Sequence, residues 1–360
     1  MFLESIMAKA NKFRFNKKPT SYQLVGDLIK SSDVFSDLRE VLDSNYIRRK
    51  DKSYYVRYGE IQQVIAELHP DYKTRFQNSM KQNCKPEDAN SLLTVQLDFT
   101  HQVMALRLSP FVYAIDKDYQ SEIKPISLET PYFIFEKIPH VALYLEFEYG
   151  DIVAECMPED ENYEGLYFPG AVVCRAITPD GKKGISIGLV KVSQKTGRFD
   201  VLTTFTFSFD TNIAETLAAI NESAMRNEKT RKYPEFFKKV FLRILSTLVW
   251  LCVEEPDISD FSGKILEPSK LQSINNCADK RGKLIVPPQP IMRVIGSRLG
   301  GEIRKFKKQI EGYDKLPKLS QRSVAPHIRS GHWHGYWVGS GDNKEYTIKW
   351  LNATLVNAAS

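Results

Sequence analysis

The chain has 360 residues, 42% hydrophobic and 26% charged, with 19 Gly, 18 Pro and a formal net charge of +6. That profile excludes collagen, a continuous coiled coil and wholesale disorder, and it supports a substantial buried core in about two domains. The charge permits a nucleic-acid partner without arguing for one.

Cys84, Cys156, Cys174, Cys252 and Cys277 form no CxxC pair, which removes zinc-ribbon chemistry and fits a reducing compartment better than a disulfide framework. Glu4, Lys9, Lys12 and Arg14 interrupt the N-terminal apolar residues, so no signal-peptide core is expected there. The longest apolar run, Val240 to Val253, carries Arg243 and is shorter than the roughly 20 residues a bilayer crossing needs. The expectation is a soluble cytoplasmic protein with no membrane partner. Charge is uneven along the chain: thirteen acidic against three basic residues from Asp116 to Glu164, twelve basic against five acidic from Arg293 to Lys349. Such asymmetry suits either separate partner surfaces or two solvated faces.

In chain order, Ser32 and Asp33 offer an N-cap for a helix through Val34, Leu38, Val41 and Leu42. Ile61, Val64, Ile65 and Leu68 repeat the helical spacing, and a further helix is expected after Pro86 through Leu92, Leu93, Val95 and Leu97. From Pro131 to Phe209 the period falls to two, with Phe133 and Phe135, then Val141, Leu143, Leu145 and Phe147, then Phe205, Phe207 and Phe209, which predicts strands. Turn signals at Pro179-Asp180-Gly181 and Thr196-Gly197 predict antiparallel pairing, with helices on one face of the sheet. Helices are predicted from Asn212 to Met225 and from Pro234 to Val253. The second is apolar around most of its circumference and is expected to be the buried central helix. Asp257 to Pro290 reads as a connecting loop. The expected class is α+β: N-terminal helices over 1–110, a central antiparallel sheet with packed helices over 111–256, and a basic module with an aromatic hairpin over 257–360.

Three of the six histidines, His327, His332 and His334, and three of the four tryptophans, Trp333, Trp337 and Trp350, fall between 327 and 350. On a strand, His332, His334 and Tyr336 share one face and Trp333, Gly335 and Trp337 the other. With Asp342 and Asn343 as a two-residue turn, Trp337 would face Ile348, Gly335 would face Trp350 and Trp333 would face Asn352. The tryptophan face is either core or a stacking and hot-spot surface. A metal would need a ligand beyond the two histidines on one face, with no cysteine nearby, so no metal or cofactor is assigned. His332 and His334 with Arg329 or Arg304 on phosphate would make a ribonuclease, but nothing identifies a substrate. Arg293, Arg298, Arg304, Lys305, Lys307 and Lys308 surround Gly296-Ser297-Arg298-Leu299-Gly300-Gly301, whose spacing fits no phosphate-binding fingerprint; the glycines read as a turn between two short elements. With Arg322, Arg329 and Lys349 this stretch suits a general RNA-binding surface, and about six phosphate contacts would give a salt slope near −5. No RNP or KH motif supports it.

Several segments together resemble a known family: Leu248 to Ile258, Val286-Pro-Pro-Gln-Pro290, Ile295 to Arg304, Pro326-His-Ile-Arg-Ser-Gly-His-Trp-His-Gly-Tyr-Trp337, and Lys349-Trp350 through Asn357. In order and spacing they are similar to the second family of type V-A anti-CRISPR proteins, with departures at Ser330, where a second basic residue is common, and at Asn352, where proline is. The resemblance implies a phage or mobile-element protein acting in the cytoplasm of the host bacterium. It would lower expression of the type V-A effector nuclease by recognising the nascent N-terminal polypeptide and causing loss of the mRNA, with ribosome and transcript as further partners. On that view the protein is a binding adaptor rather than an enzyme. Arg304, Lys305, His327, Arg329, His332, Trp333, His334, Tyr336, Trp337 and Trp350 are its candidate binding residues.

Overall fold

The computed structural model describes residues 20–31, 56–57, 98–99, 101–103, 105–106, 109–147, 149–156, 166–178, 180–193, 199–226, 234–260, 262–267, 289–314, 327–341 and 343–356. The helices expected at 34–42, 61–68 and 92–97 lie outside them. Helix α1 (Ser21–Ser31) is followed by β1 (Val56–Arg57), β2 (Phe111–Ile115), α2 (Lys117–Glu122), β3 (Ala142–Glu146) and α3 (Gly150–Cys156). Then come β4 (Leu166–Ile177), β5 (Lys183–Ser193), β6 (Phe199–Ser208), α4 (Ile213–Arg226) and α5 (Pro234–Leu248). Strands β7 (Ile258–Asp260) and β8 (Ile291–Ile295) precede α6 (Ser297–Asp314), and β9 (His327–Arg329), β10 (His332–Val338), β11 (Glu345–Leu351) and β12 (Thr354–Val356) end the series.

An eight-stranded sheet runs β6-β5-β4-β3-β2-β8-β7, with β1 added on β4. The α+β class holds, but the sheet is mixed. Strands β3 to β6 pair antiparallel as expected; β2 is parallel to both β3 and β8, and β1 is parallel to β4. The connection from β2 to β3 carries α2 and a 3-10 turn (Tyr132–Lys137), and a crossover of that length returns a strand in parallel. Phe133 and Phe135 therefore stand on a 3-10 turn, not a strand. Its three-residue period puts Tyr132 and Phe135 into the core and leaves Phe133 39% exposed. Part of the expected loop after Asp257 is likewise strand β7.

Both faces of the sheet are covered, not one. On one side α5 buries Phe236, Val240, Phe241, Ile244, Leu245 and Leu248 completely, with Phe241 edge-on to Phe207 of β6 at 5.4 Å. Each such side chain contributes about 1.5–3 kcal/mol of burial. On the other side Gln102 donates to the Ser186 hydroxyl of β5 (2.8 Å), and Thr206 donates to the same oxygen. Gly188 makes that approach possible, since a Cβ there would run into Gln102.

Candidate functional site

The C-terminal strands form one ribbon. Pairing of β10 with β11 and of β9 with β12 keeps a single register, from Val338↔Glu345 through His332↔Leu351 to Arg329↔Thr354 and His327↔Val356. The hairpin therefore exists, but its register differs from the expected one by two residues. Trp333 faces Trp350, Gly335 faces Ile348 and Trp337 faces Tyr346. The turn is longer than two residues and uses Gly339 (φ 108°) and Gly341 (φ 59°), backbone conformations that favour glycine. A slip of two preserves the alternation of faces, so the tryptophan face and the histidine face survive it.

The inner face docks on the end of α5. Trp333 is 7% exposed, and its Nε1 donates to the Ser246 carbonyl at 2.9 Å. Its ring lies 4.7 Å from Trp250 and 5.2 Å from Trp350, while Tyr119 of α2 closes on Trp250 and Trp350 at 5.8 and 5.5 Å. The Trp250 indole donates to the Tyr119 hydroxyl. Gly331, not Gly335, makes room for Trp350, since a Cβ on Gly331 would strike the indole; Gly335 instead accommodates the Tyr346 ring. At the tip, Trp337 is 57% exposed and forms an aromatic cluster with Tyr346 (5.2 Å) and Phe133 (6.4 Å), beside a Lys137–Glu345 ion pair at 3.6 Å.

The outer face carries His332, His334 and Tyr336 on β10, opposite Leu351, Lys349 and Thr347. The Lys349 ammonium reaches over the Tyr336 ring at 5.9 Å, and His334 lies 5.8 Å from the same ring. This is an open strand face. Arg329 is exposed on β9, in the separate pairing with β12, and no hydrogen bond or ion pair joins its guanidinium to either imidazole among the described residues. His327 is exposed on β9. Among the described residues no group of three or more His, Cys, Asp and Glu is placed to hold a metal.

Of the basic stretch, Arg293 lies on β8 and Arg298 to Lys308 lie on α6, a helix of 18 residues rather than a short element, which takes in Gly300 and Gly301 and leaves the turn to Gly296. Gly296 (φ 76°) turns the chain out of β8, packed on Tyr119. Asp257 receives the backbone N–H groups of Arg298 and Leu299 at 3.3 and 2.9 Å, capping the positive end of α6. Arg304 donates to both oxygens of Asp116 and to Asp118, all at 3.0 Å. Lys307 meets Asp118 at 3.0 Å and Glu122 at 3.9 Å. The Arg304 guanidinium, seconded by Lys307, holds the Asp118 carboxyl below the ordinary carboxylate value. The acidic and basic segments thus meet each other here. Lys305 and Lys308 remain exposed on α6, with no ion pair among the described residues.

Sequence reasoning missed Tyr119, Ser246 and Trp250 beneath the ribbon and Phe133 at its tip. Nothing in the local pattern of residues more than 80 positions away marks them as neighbours of Trp333.

Fold and site together define a class: an α+β protein with a mixed sheet, whose tryptophan-rich terminal ribbon is fastened to its central helix. The model of the anti-CRISPR type V subtype A2 (AcrVA2-like) family matches residues 113–358, and the chain belongs to that family. It is a type V-A anti-CRISPR protein, and the system it opposes is type V-A CRISPR. A solved structure described as the crystal structure of AcrVA2 is similar over 99% of each chain, with a TM-score of 0.58 and 20% identity, a likeness of fold. No curated protein matches the chain by sequence. Among the described residues no helix is long and apolar enough to cross a membrane.

Proposed function

We propose that the protein lowers expression of the type V-A effector nuclease by recognising its N-terminal polypeptide during synthesis, with loss of the effector mRNA as the outcome. The C-terminal ribbon is the reading element. One observation carries this: the ribbon is locked to the core by Trp333 while Trp337 and His334 stay exposed. That is the anatomy of a rigid contact surface with an aromatic anchor. Lys305 and Lys308 on α6, with Arg329 on the ribbon, are the positions open to ribosomal RNA or the transcript.

The test is a translating extract programmed with effector mRNA. Recovery of ribosomes by the immobilised protein and loss of transcript should both depend on the encoded N-terminal peptide, and Trp337→Ala should weaken both. Equal transcript loss from a message whose start codon is removed would overturn the reading.

A further inference from the structure

The β10 edge of the ribbon is unusually open. Natural sheet edges are blunted by proline, lysine, bulges or a covering element. Strand β10 reads His-Trp-His-Gly-Tyr-Trp-Val, with neither proline nor lysine, and its pairing with β11 is unbroken by a bulge. Among the described residues the 3-10 turn touches only the tip of the ribbon, through Lys137–Glu345, Phe133 edge-on to Tyr346 at 6.3 Å and Phe133 against Trp337 at 6.4 Å. Along β10, His334, Gly335, Trp337 and Val338 are exposed. Alternate residues of such a strand point their N–H and C=O groups away from the partner strand, and no further backbone hydrogen bond engages this edge among the described residues.

The two faces beside that edge differ in chemistry. Outward lie the donors of His332, His334 and Tyr336, and the Lys349 ammonium reaches back over Tyr336 toward the same side. Among the described residues of β10 and β11, the one carboxylate on the outer face, Glu345, is at the far end and already paired with Lys137. Inward lies the exposed Trp337 ring.

We infer that an extended peptide adds to the β10 edge as a third strand, with acidic side chains alternating over the histidine face and apolar ones beside Trp337. Backbone hydrogen bonds supply the attachment and the alternating side chains supply the choice. A nucleic acid is the poorer occupant, because the outer face carries one lysine and Arg304 is already held by Asp116 and Asp118. The inference rests on the ribbon being the peptide-reading element, and it adds how the peptide lies and which side chains are selected.

The test titrates the full chain with labelled peptides matched to the seven residues of β10: alternating Val and Glu, alternating Val and Lys, and the Val-Glu peptide N-methylated at alternate positions. An oligouridine strand is the fourth probe. The Val-Glu peptide should bind at least about tenfold more tightly than the Val-Lys peptide and lose binding on N-methylation. The double variant His334→Glu, Lys349→Glu, folded by circular dichroism, should reverse the charge preference. Indifference to N-methylation, equal affinity for both peptides, or capture of oligouridine in preference to peptide would each overturn the inference. Because these probes need no ribosome, transcript loss persisting without strand addition sinks the inference alone. Strand addition without peptide-dependent transcript loss sinks the proposed function alone.

Discussion

Trp333 and Trp337 stand four positions apart on one face of β10, yet one is 7% and the other 57% exposed. Trp333→Ala removes a packed indole and strands the Ser246 carbonyl it serves, so a loss of about 3–5 kcal/mol is expected in chemical denaturation. Trp337→Ala should change stability by no more than about 0.5 kcal/mol. Asp98 offers a different test at this scale. Burial raises its carboxyl to about 6, against the hydrogen bond donated by Thr204. The folded chain therefore binds the proton more tightly than the unfolded one, and stability should fall as pH rises from about 4 to 6, then level. Asp98→Asn keeps an acceptor for Thr204 and should remove that slope in thermal melts taken across the range.

Between elements, the contact of α2 with α6 is electrostatic as well as apolar. Gly300 lets α6 come close enough for Arg304 to fork onto Asp116, because a Cβ there would meet the Asp116 carboxyl. The folded-state value of Asp118 is depressed, so its stabilisation is complete above the ordinary carboxylate value of 3.8 and is lost as pH falls below it. Asp118→Asn should flatten the acid limb of the stability profile. Arg304→Ala should cost about 1 kcal/mol, shrinking as salt is added, since these partners are partly solvated. Helix α5 was legible in sequence because an apolar surface on nearly every side can only be interior. The 3-10 turn was not: over six residues an alternation of aromatics suits a strand, and the structure shows Phe133 turned outward against Trp337 and Tyr346 while Tyr132 and Phe135 turn into the core.

At the scale of the whole molecule, the sheet draws β7 and β8 from beyond residue 256 into the same layer as β2 to β6. The ribbon then closes over Trp250 and Tyr119. A chain ended before His327 should therefore expose those rings. The expected readout is increased binding of an apolar dye and a broadened thermal transition relative to the full chain. A truncated chain that melts as sharply as the full one and binds no more dye would show that the ribbon is not part of the cooperative core.

Local periodicity was enough to find the strands β3 to β6, the helices α4 and α5, and the two chemically distinct faces of the terminal hairpin, because alternation and helical spacing are properties of neighbours in the chain. Family membership was legible for the same reason, since its motifs are short and ordered. Parallel pairing of β2 with β3 and β8, helices on both sheet faces, and the mutual neutralisation of Asp118 by Arg304 and Lys307 depend on residues up to 189 positions apart. Such contacts are set by how packed surfaces fit in space, and no spacing rule along the chain encodes them. The same holds for the ribbon, whose buried and exposed tryptophans are distinguished only by what lies underneath.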